Sequence, residues 1–460
     1  MHSQSLSGDG RLEGVSHSEV SREVLGIFRS ITSRYWGWVV VLSILTGLGV
    51  ASMIIRLTDG FDDRSDWGYV AATVAYLTTV FAAAPAVAAG LRFTKNHWRR
   101  PMTRIAEIYG VTGILGLLLL LPVLAALPPL EGRNSIWFEW PVFAPFGWDT
   151  VSMATLVLAG LVYLWVLALP DLAAARDHLE PSGRQRFIKR LALGWKGNLR
   201  QWRVHRWGIL ILGGFYLMSL PLMMTLISSD LSAGLLPGYK DAIFPAFQAL
   251  QALQGGVAVV LVTMFILRTA GGYKRYLGED QFWALSKPLL AFSLLWFYFW
   301  WATFLTFWYG RQPSEVNLIQ FLMFDAYRIP FLMTFFLSFL LPVSALIWNP
   351  VRKSIWGPTL VSVSILIGAF FNQIRMYVSA FSISDSQVTT HLLTDPPGVQ
   401  APGVADVLII IGAISGSALL FLLVSKIIPV ISIWEVGEGL PLSKVRQFLN
   451  RTVRVIAKSY

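Results

Sequence analysis

Apolar runs of about 20 residues, separated by short polar stretches, recur along almost the whole chain. That is the length a helix needs to cross the ~30 Å hydrocarbon core of a bilayer. The pattern predicts ten transmembrane helices, over roughly 35–55, 68–91, 106–127, 148–171, 206–227, 245–267, 287–308, 328–348, 355–380 and 405–433. The break at Asn349–Ser354 is too short for anything but an antiparallel turn, so spans 8 and 9 are neighbours. Trp and Tyr gather at span ends (Tyr35, Trp36, Trp38, Trp148, Trp207, Trp308, Tyr309, Trp348, Trp434), where their amphipathic rings suit the membrane interface.

Composition agrees. Of 460 residues, 55% are hydrophobic and 14% charged, against about 25% charged in soluble domains. The first 34 residues are polar and carry no apolar run of signal-peptide length; they read as a cytoplasmic, largely disordered tail, with disorder expected over Met1–Val20. Residues 35–433 form the membrane domain and 434–460 a second, basic cytoplasmic tail. The net charge of +11 fits loops facing the cytoplasm and anionic lipid better than it fits nucleic acid. Thirty Lys and Arg fall on one side: the amino tail, 92–104, 176–206, 268–287, 352–353 and the carboxyl tail. Six (Arg56, Arg64, Arg133, Lys240, Arg311, Arg328) fall on the other, and Arg375 lies within a span. The asymmetry places both termini in the cytoplasm.

The chain has no cysteine, which removes disulfides, thiolate metal sites and cysteine-held iron–sulfur clusters. The six histidines (His2, His17, His97, His178, His205, His391) lie in tails, loops or helix ends, so no axial pair for a haem is expected inside the bundle. No metal site is expected either. Nothing resembles a phosphate-binding glycine loop or a serine–histidine pair.

Polar residues inside a bilayer are costly and usually face a cavity or a partner. Asp149 opens span 4, Asp230 follows span 5, Tyr309 and Glu315 follow span 7, Asp325 and Arg328 lead into span 8, and Asn372, Gln373 and Arg375 lie in span 9. Topology gathers these at the outer face, either as a polar pocket or with Arg375 as a structural charge paired to one of the acids. On the inner side Glu107 opens span 3 and Asp171 ends span 4; each alone reads as an ordinary helix-end charge. The basic stretch 176–206 is suited to lipid headgroups. Leu91-Arg92 and Leu267-Arg268 lie 176 residues apart, as do Asp149 and Asp325. That offset is what two pseudo-repeated four-helix bundles, spans 2–5 and 6–9, would produce.

Several pieces, in order, resemble the polysulfide-reductase membrane-subunit (NrfD-like) family, and most of all the quinol-oxidising membrane subunits of alternative complex III. They are Arg104-Ile-Ala-Glu107, Trp148-Asp149, Pro170-Asp-Leu-Ala173, Arg176-Asp177, Gly194-Trp-Lys-Gly197 and His205-Arg-Trp207. Further along are Ser229-Asp230, Leu236-Pro-Gly-Tyr239, Ile243-Phe-Pro245, Phe307-Trp-Tyr-Gly310 and Pro313-Ser-Glu315. The resemblance covers about residues 35–380. It implies a membrane subunit of a respiratory redox complex, not catalytic alone, docked under iron–sulfur (molybdopterin-oxidoreductase-like) subunits on the outer face, with a second membrane subunit as a further partner. It also implies a quinone or quinol pocket near that face. On this reading Asp230 and Asp149 take quinol protons, and Trp148, Tyr239, Phe244, Pro245, Tyr309, Glu315 and Arg375 surround the headgroup. Glu107, Asp171 and Asp325 are the candidates for a proton path.

The chain departs from the family pattern at three histidines. Where the relatives carry Pro-x-x-His-x-Gly-Arg, this chain has Pro122-Val-Leu-Ala-Ala-Leu-Pro128; Met224 stands at the second position and Lys240 at the third. A quinol loses a proton with each electron, so a base tuned near neutral pH suits the reaction. Loss of all three histidines therefore supports a second reading, a quinone-independent anchor or proton-conducting subunit of a related complex. A third, a secondary transporter, predicts inverted repeats, whereas the 176-residue repeat runs in one direction.

The topology carries a direct test, since the chain has no cysteine background. A Cys replacing Ser386 is expected to react with an impermeant maleimide from outside intact cells; reaction only after the inner face is opened would contradict it.

Overall fold

The computed structural model describes residues 16–130, 135–389, 392–448 and 451–456. Among them, ten helices are long and apolar enough to cross a membrane: Ser33–Asp59, Arg64–Phe93, Thr103–Ala125, Phe146–His178, Leu199–Ala233, Phe244–Thr269, Glu279–Gly310, Arg328–Leu346, Trp356–Ser382 and Val404–Val424. The chain is an all-α integral membrane protein, with the ten spans where the apolar runs predict them.

Spans 2–5 pack as one four-membered ring and spans 6–9 as another; the rings meet through spans 2, 6, 5 and 9. Small residues permit that meeting. A Cβ on Gly255 would stand 2.8 Å from the carbonyl oxygen of Thr79, and one on Gly256 3.0 Å from the Ala83 backbone, the close approach that small residues allow between membrane helices. Spans 1 and 10 pair with each other and lie against the first ring. Their backbones touch at Gly49 and Gly412, where a Cβ on Gly412 would stand 2.5 Å from the Gly49 Cα. Arg56 of span 1 binds Asp406 of span 10 at 2.8 Å and Asp66 at 2.9 Å.

Several helices outrun their apolar segments at the end that carries the Lys- and Arg-rich connections, called here the basic end. Span 4, expected over 148–171, continues to His178, and span 5, expected from 206, begins at Leu199. Asn198 explains the second: its side chain accepts the Gln201 N–H at 2.8 Å while the Gln201 side chain accepts the Asn198 N–H at 3.4 Å, a capping box that starts a helix ahead of the membrane. Span 10 differs in the other direction. Expected over 405–433, it ends at Val424, and the chain turns before Pro429 and re-enters as a short helix, Ile433–Gly439, lying against span 4.

Both predicted tails need correction. The first 15 residues lie outside the described ones, but His17–Arg29 is a helix capped by Ser16, with Val20, Ser21, Val24, Leu25 and Phe28 buried. That is one face of a 3.6-residue period, packed on Ile433–Gly439 and span 4. At the carboxyl end, Ile433–Gly439 is a helix with Ile433, Glu435 and Val436 buried, and Ser443–Phe448 pairs antiparallel with Arg451–Ile456.

The repeat is partial. Arg92 and Arg268 are both buried at the basic ends of spans 2 and 6, whereas Asp149 is fully buried and Asp325 exposed.

Gly412→Val forces apart the backbones of spans 1 and 10. It is expected to destabilise the protein by about 1–3 kcal/mol, the usual cost of overpacking, read by thermal unfolding in detergent. Gly47→Val, on span 1 with nothing within 4 Å of its Cβ, is expected to change little.

Candidate functional site

Polar side chains collect at both ends of the first ring and along the centre of the second. At the basic end, Arg92 (span 2), Arg99 (in the connection to span 3), Arg104 and Glu107 (span 3), Asp171 (span 4) and Glu435 form a cluster of three guanidinium and three carboxylate groups. Arg92 bridges Glu107 and Glu435, and Arg99 also binds Glu435. Arg104 holds Glu107 at 3.3 Å and Asp171 at 2.9 Å. Asp171 accepts three further hydrogen bonds from the returning chain: the Ser432 hydroxyl at 3.1 Å and the N–H groups of Ile433 and Trp434 at 3.0 and 3.2 Å. Thr103 donates to Glu435 at 3.2 Å. Burial opposes ionisation of Glu435, but Arg92 and Arg99 outweigh it and hold the carboxyl well down, at about 2.

Glu107 and Asp171 are therefore not solvated helix-end charges. They are fully buried counter-ions, each fixed to an arginine.

At the opposite end, the structure brings Asp149 and Asp230 together. Both are buried, with their carboxyls close enough to interact. Two carboxylates buried side by side repel each other, an arrangement that a shared proton relieves. Asp230 sits on a π-helical turn, Ser229–Ala233, a device that re-aims side chains within a span. Trp137, from the loop before span 4, donates to Asp230 at 2.8 Å and covers the pair. Trp148 stacks on Trp137 at 6.3 Å and donates to the Val142 carbonyl; it props the cover and does not form a pocket wall.

Beside this pair, between spans 6, 7 and 9, lies a cavity of about 30 Å³ lined by Tyr239, Phe244 and Arg375 together with Asp241, Trp300 and Phe307. Three of the residues predicted to surround a headgroup thus meet. Arg375 comes from a second π-helical turn, Ile374–Val378, linked to the first by the Ser232 hydroxyl donating to the Met376 carbonyl at 3.0 Å. The structural reading of Arg375 expected an acid partner. Its guanidinium instead donates to Asn372 Oδ1 at 2.9 Å and lies 5.7 Å from the Phe331 ring centre, with no ion pair among the described residues. Asp241 accepts hydrogen bonds from Thr303 at 2.9 Å, Tyr239 at 3.3 Å and the Ile243 N–H at 2.9 Å. Burial nevertheless raises its carboxyl above the ordinary value.

Other predicted residues lie elsewhere. Pro245 begins span 6 without lining the cavity. Tyr309 is 81% exposed at the end of span 7, and Glu315 is in the first turn of the short helix Pro313–Ile319. Asp325 is exposed after the π-helical turn Gln320–Phe324. Reasoning from sequence missed Trp137, Asp241 and Glu435. Among the described residues, no group of three or more His, Cys, Asp and Glu is placed to hold a metal. No family model matches the chain, and no curated protein matches it.

Glu435→Gln leaves Arg92 and Arg99 short of a counter-charge in a buried site. The expected loss is about 3–5 kcal/mol, whereas Glu438→Gln, which touches Arg100 only at 3.8 Å and is half exposed, is expected to cost less than about 1 kcal/mol. A carboxyl held low contributes fully above its unfolded-state value and loses that contribution as pH falls toward about 2. The stability gap between wild type and Glu435→Gln is thus expected to be constant above about pH 5 and to shrink below it.

Proposed function

We propose that this chain is the membrane subunit of a respiratory redox complex, and that it takes a quinol headgroup in the cavity beside Arg375 and passes its electrons to an iron–sulfur partner docked on the same end. The observation that carries the reading is Arg375: a buried cation with no ion pair among the described residues, lining a slot of aromatic rings that the half-buried Asp241 carboxyl also lines. An anionic or carbonyl-bearing flat ring satisfies that arrangement. The resemblance to the NrfD-like family supports it, with this end facing out of a prokaryotic inner membrane and a second membrane subunit alongside.

A quinol supplies two electrons and two protons. In this reading Arg375 donates to a headgroup oxygen, and Phe244, Phe307 and Trp300 flank the ring. Asp241, hydrogen-bonded to Tyr239 and Thr303, accepts the two protons in turn, releasing the first before it takes the second; its raised carboxyl brings it closer to the range where a base works at neutral pH. Asp230, outside the cavity and under Trp137, belongs to the Asp149–Asp230 pair, which holds a proton on the way outward. The roles expected of Asp230 and Asp149 become those of a relay, and the direct base becomes Asp241.

One observation favours the second reading, a quinone-independent anchor. A cavity of about 30 Å³ has room for roughly two waters, so a headgroup enters only if Phe307, Trp300 and the 234–243 loop give way.

The two readings separate in the assembled complex. Quinol-dependent reduction of the iron–sulfur partner is expected, with Asp241→Asn lowering kcat by about 10²–10⁴-fold, the usual worth of a general base, and Arg375→Gln raising KM. Absence of quinol-dependent transfer in a wild-type complex that remains active with its other donor would establish the anchor reading.

A further inference from the structure

Among the described residues, the centre of the second ring holds amides and no ionic cluster. Gln248, Gln251 and Gln254 recur every three residues along span 6, so they share one helix face, and all three are fully buried. Gln248 donates to the Tyr377 hydroxyl at 3.2 Å, Gln251 accepts from Asn372 at 2.7 Å, and Gln254 donates to the Ser293 hydroxyl and the Ser338 carbonyl, each at 2.9 Å. That carbonyl lacks its i+4 helical partner because residue 342 is proline, just past the π-helical turn Phe336–Leu340. Gln373 donates to Thr79 at 3.2 Å.

These bonds use only part of the capacity. Gln248 Oε1, Gln251 Nε2, Gln254 Oε1, Ser338 Oγ, Gln373 Oε1 and Arg375 Nε have no hydrogen-bond partner among the described residues. Turning any amide over exchanges donor for acceptor and leaves the same shortfall. Lipid cannot make good that deficit, and buried polar groups left unmet by protein are the sites where ordered water is held. The unmet atoms follow the chain of contacts from Arg375 through Asn372 and Gln251. Toward the basic end the chain stops: Val257, Leu261, Leu289, Leu346 and Ile365 belong to one buried apolar cluster.

We propose that the second ring holds a file of ordered water, beginning beside Arg375, running along Gln251 and Gln254, and ending near the membrane midplane against that apolar plug. The file is closed to protons. Past Arg375, none of the residues named along it is a carboxylate or a histidine; Asp241 lies outside it, in the cavity at its mouth, and the Arg375 cation there repels hydronium, as a pore-lining arginine does in water-selective channels. The proposal stands whether or not quinol binds.

Radiolytic hydroxyl labelling of the full chain in lipid nanodiscs tests it, because radicals formed from bound water mark the side chains beside that water. Tyr377, bonded to Gln248 and fully buried, is expected to be oxidised several-fold faster than Tyr216, which is equally buried in the first ring and donates to the Ala82 carbonyl. In Gln251→Leu/Gln254→Leu the Tyr377 rate is expected to fall to that of Tyr216. Equal rates in the wild type would overturn the water file, as would an unchanged Tyr377 rate in a folded double variant. A proton flux across vesicles carrying the wild type that the double variant abolishes would overturn its closure to protons.

Discussion

The ion cluster at the basic end is the constraint on which the arrangement of the first ring depends. Six charges are removed from water there, and each is costly unless its partners are in place. Arg92, Arg104 and Asp171 lie on spans 2, 3 and 4, so the cluster sets the register of three helices at once. It also fixes the returning chain, because Glu435 and the N–H groups of Ile433 and Trp434 complete it. The amino-terminal helix then rests on that returning segment, which makes the floor of the protein a consequence of the same interaction.

The two rings share an architecture and differ in what fills them. Arg268 repeats Arg92 in position and binds backbone carbonyls, that of Lys274 at 3.0 Å among them, and residue 283, which the repeat offset aligns with Glu107, is tryptophan. The first ring is held by charge, the second by neutral amides, π-helical turns and aromatic packing. An interior of neutral, partly unmet hydrogen bonds deforms at lower cost than a cluster of ion pairs. It is the second ring that borders the aromatic cavity, where a ligand would have to displace side chains.

What the sequence made legible follows from range. Ten spans could be read because a membrane helix announces itself within its own 20 residues. Asp149 and Asp230 were singled out because each stands next to apolar segments, and topology alone put them at one level. The ion cluster was hidden because its pairs join residues as far apart as Arg92 and Glu435, and because Glu435 follows an apolar stretch that reads as the end of span 10. The His17–Arg29 helix has a clear period, in Val20, Val24, Leu25 and Phe28, obscured by its polar setting. The stripe Gln248, Gln251, Gln254 was visible as spacing. Its meaning needed the partners from spans 7, 8 and 9. Topology put Tyr309, Glu315 and Asp325 at one end of the bundle, but that does not say which way a side chain faces.

The central claim, that a quinol headgroup is received beside Arg375, is tested most directly by photo-crosslinking the assembled complex with an azido-quinone and locating the label by mass spectrometry. The account predicts label on residues 239–247, 300–307 or 318–323, suppressed by excess unlabelled quinone and lost in Arg375→Gln. Saturable label confined to the lipid-facing surfaces of spans 1 and 10, or none at all, would contradict it.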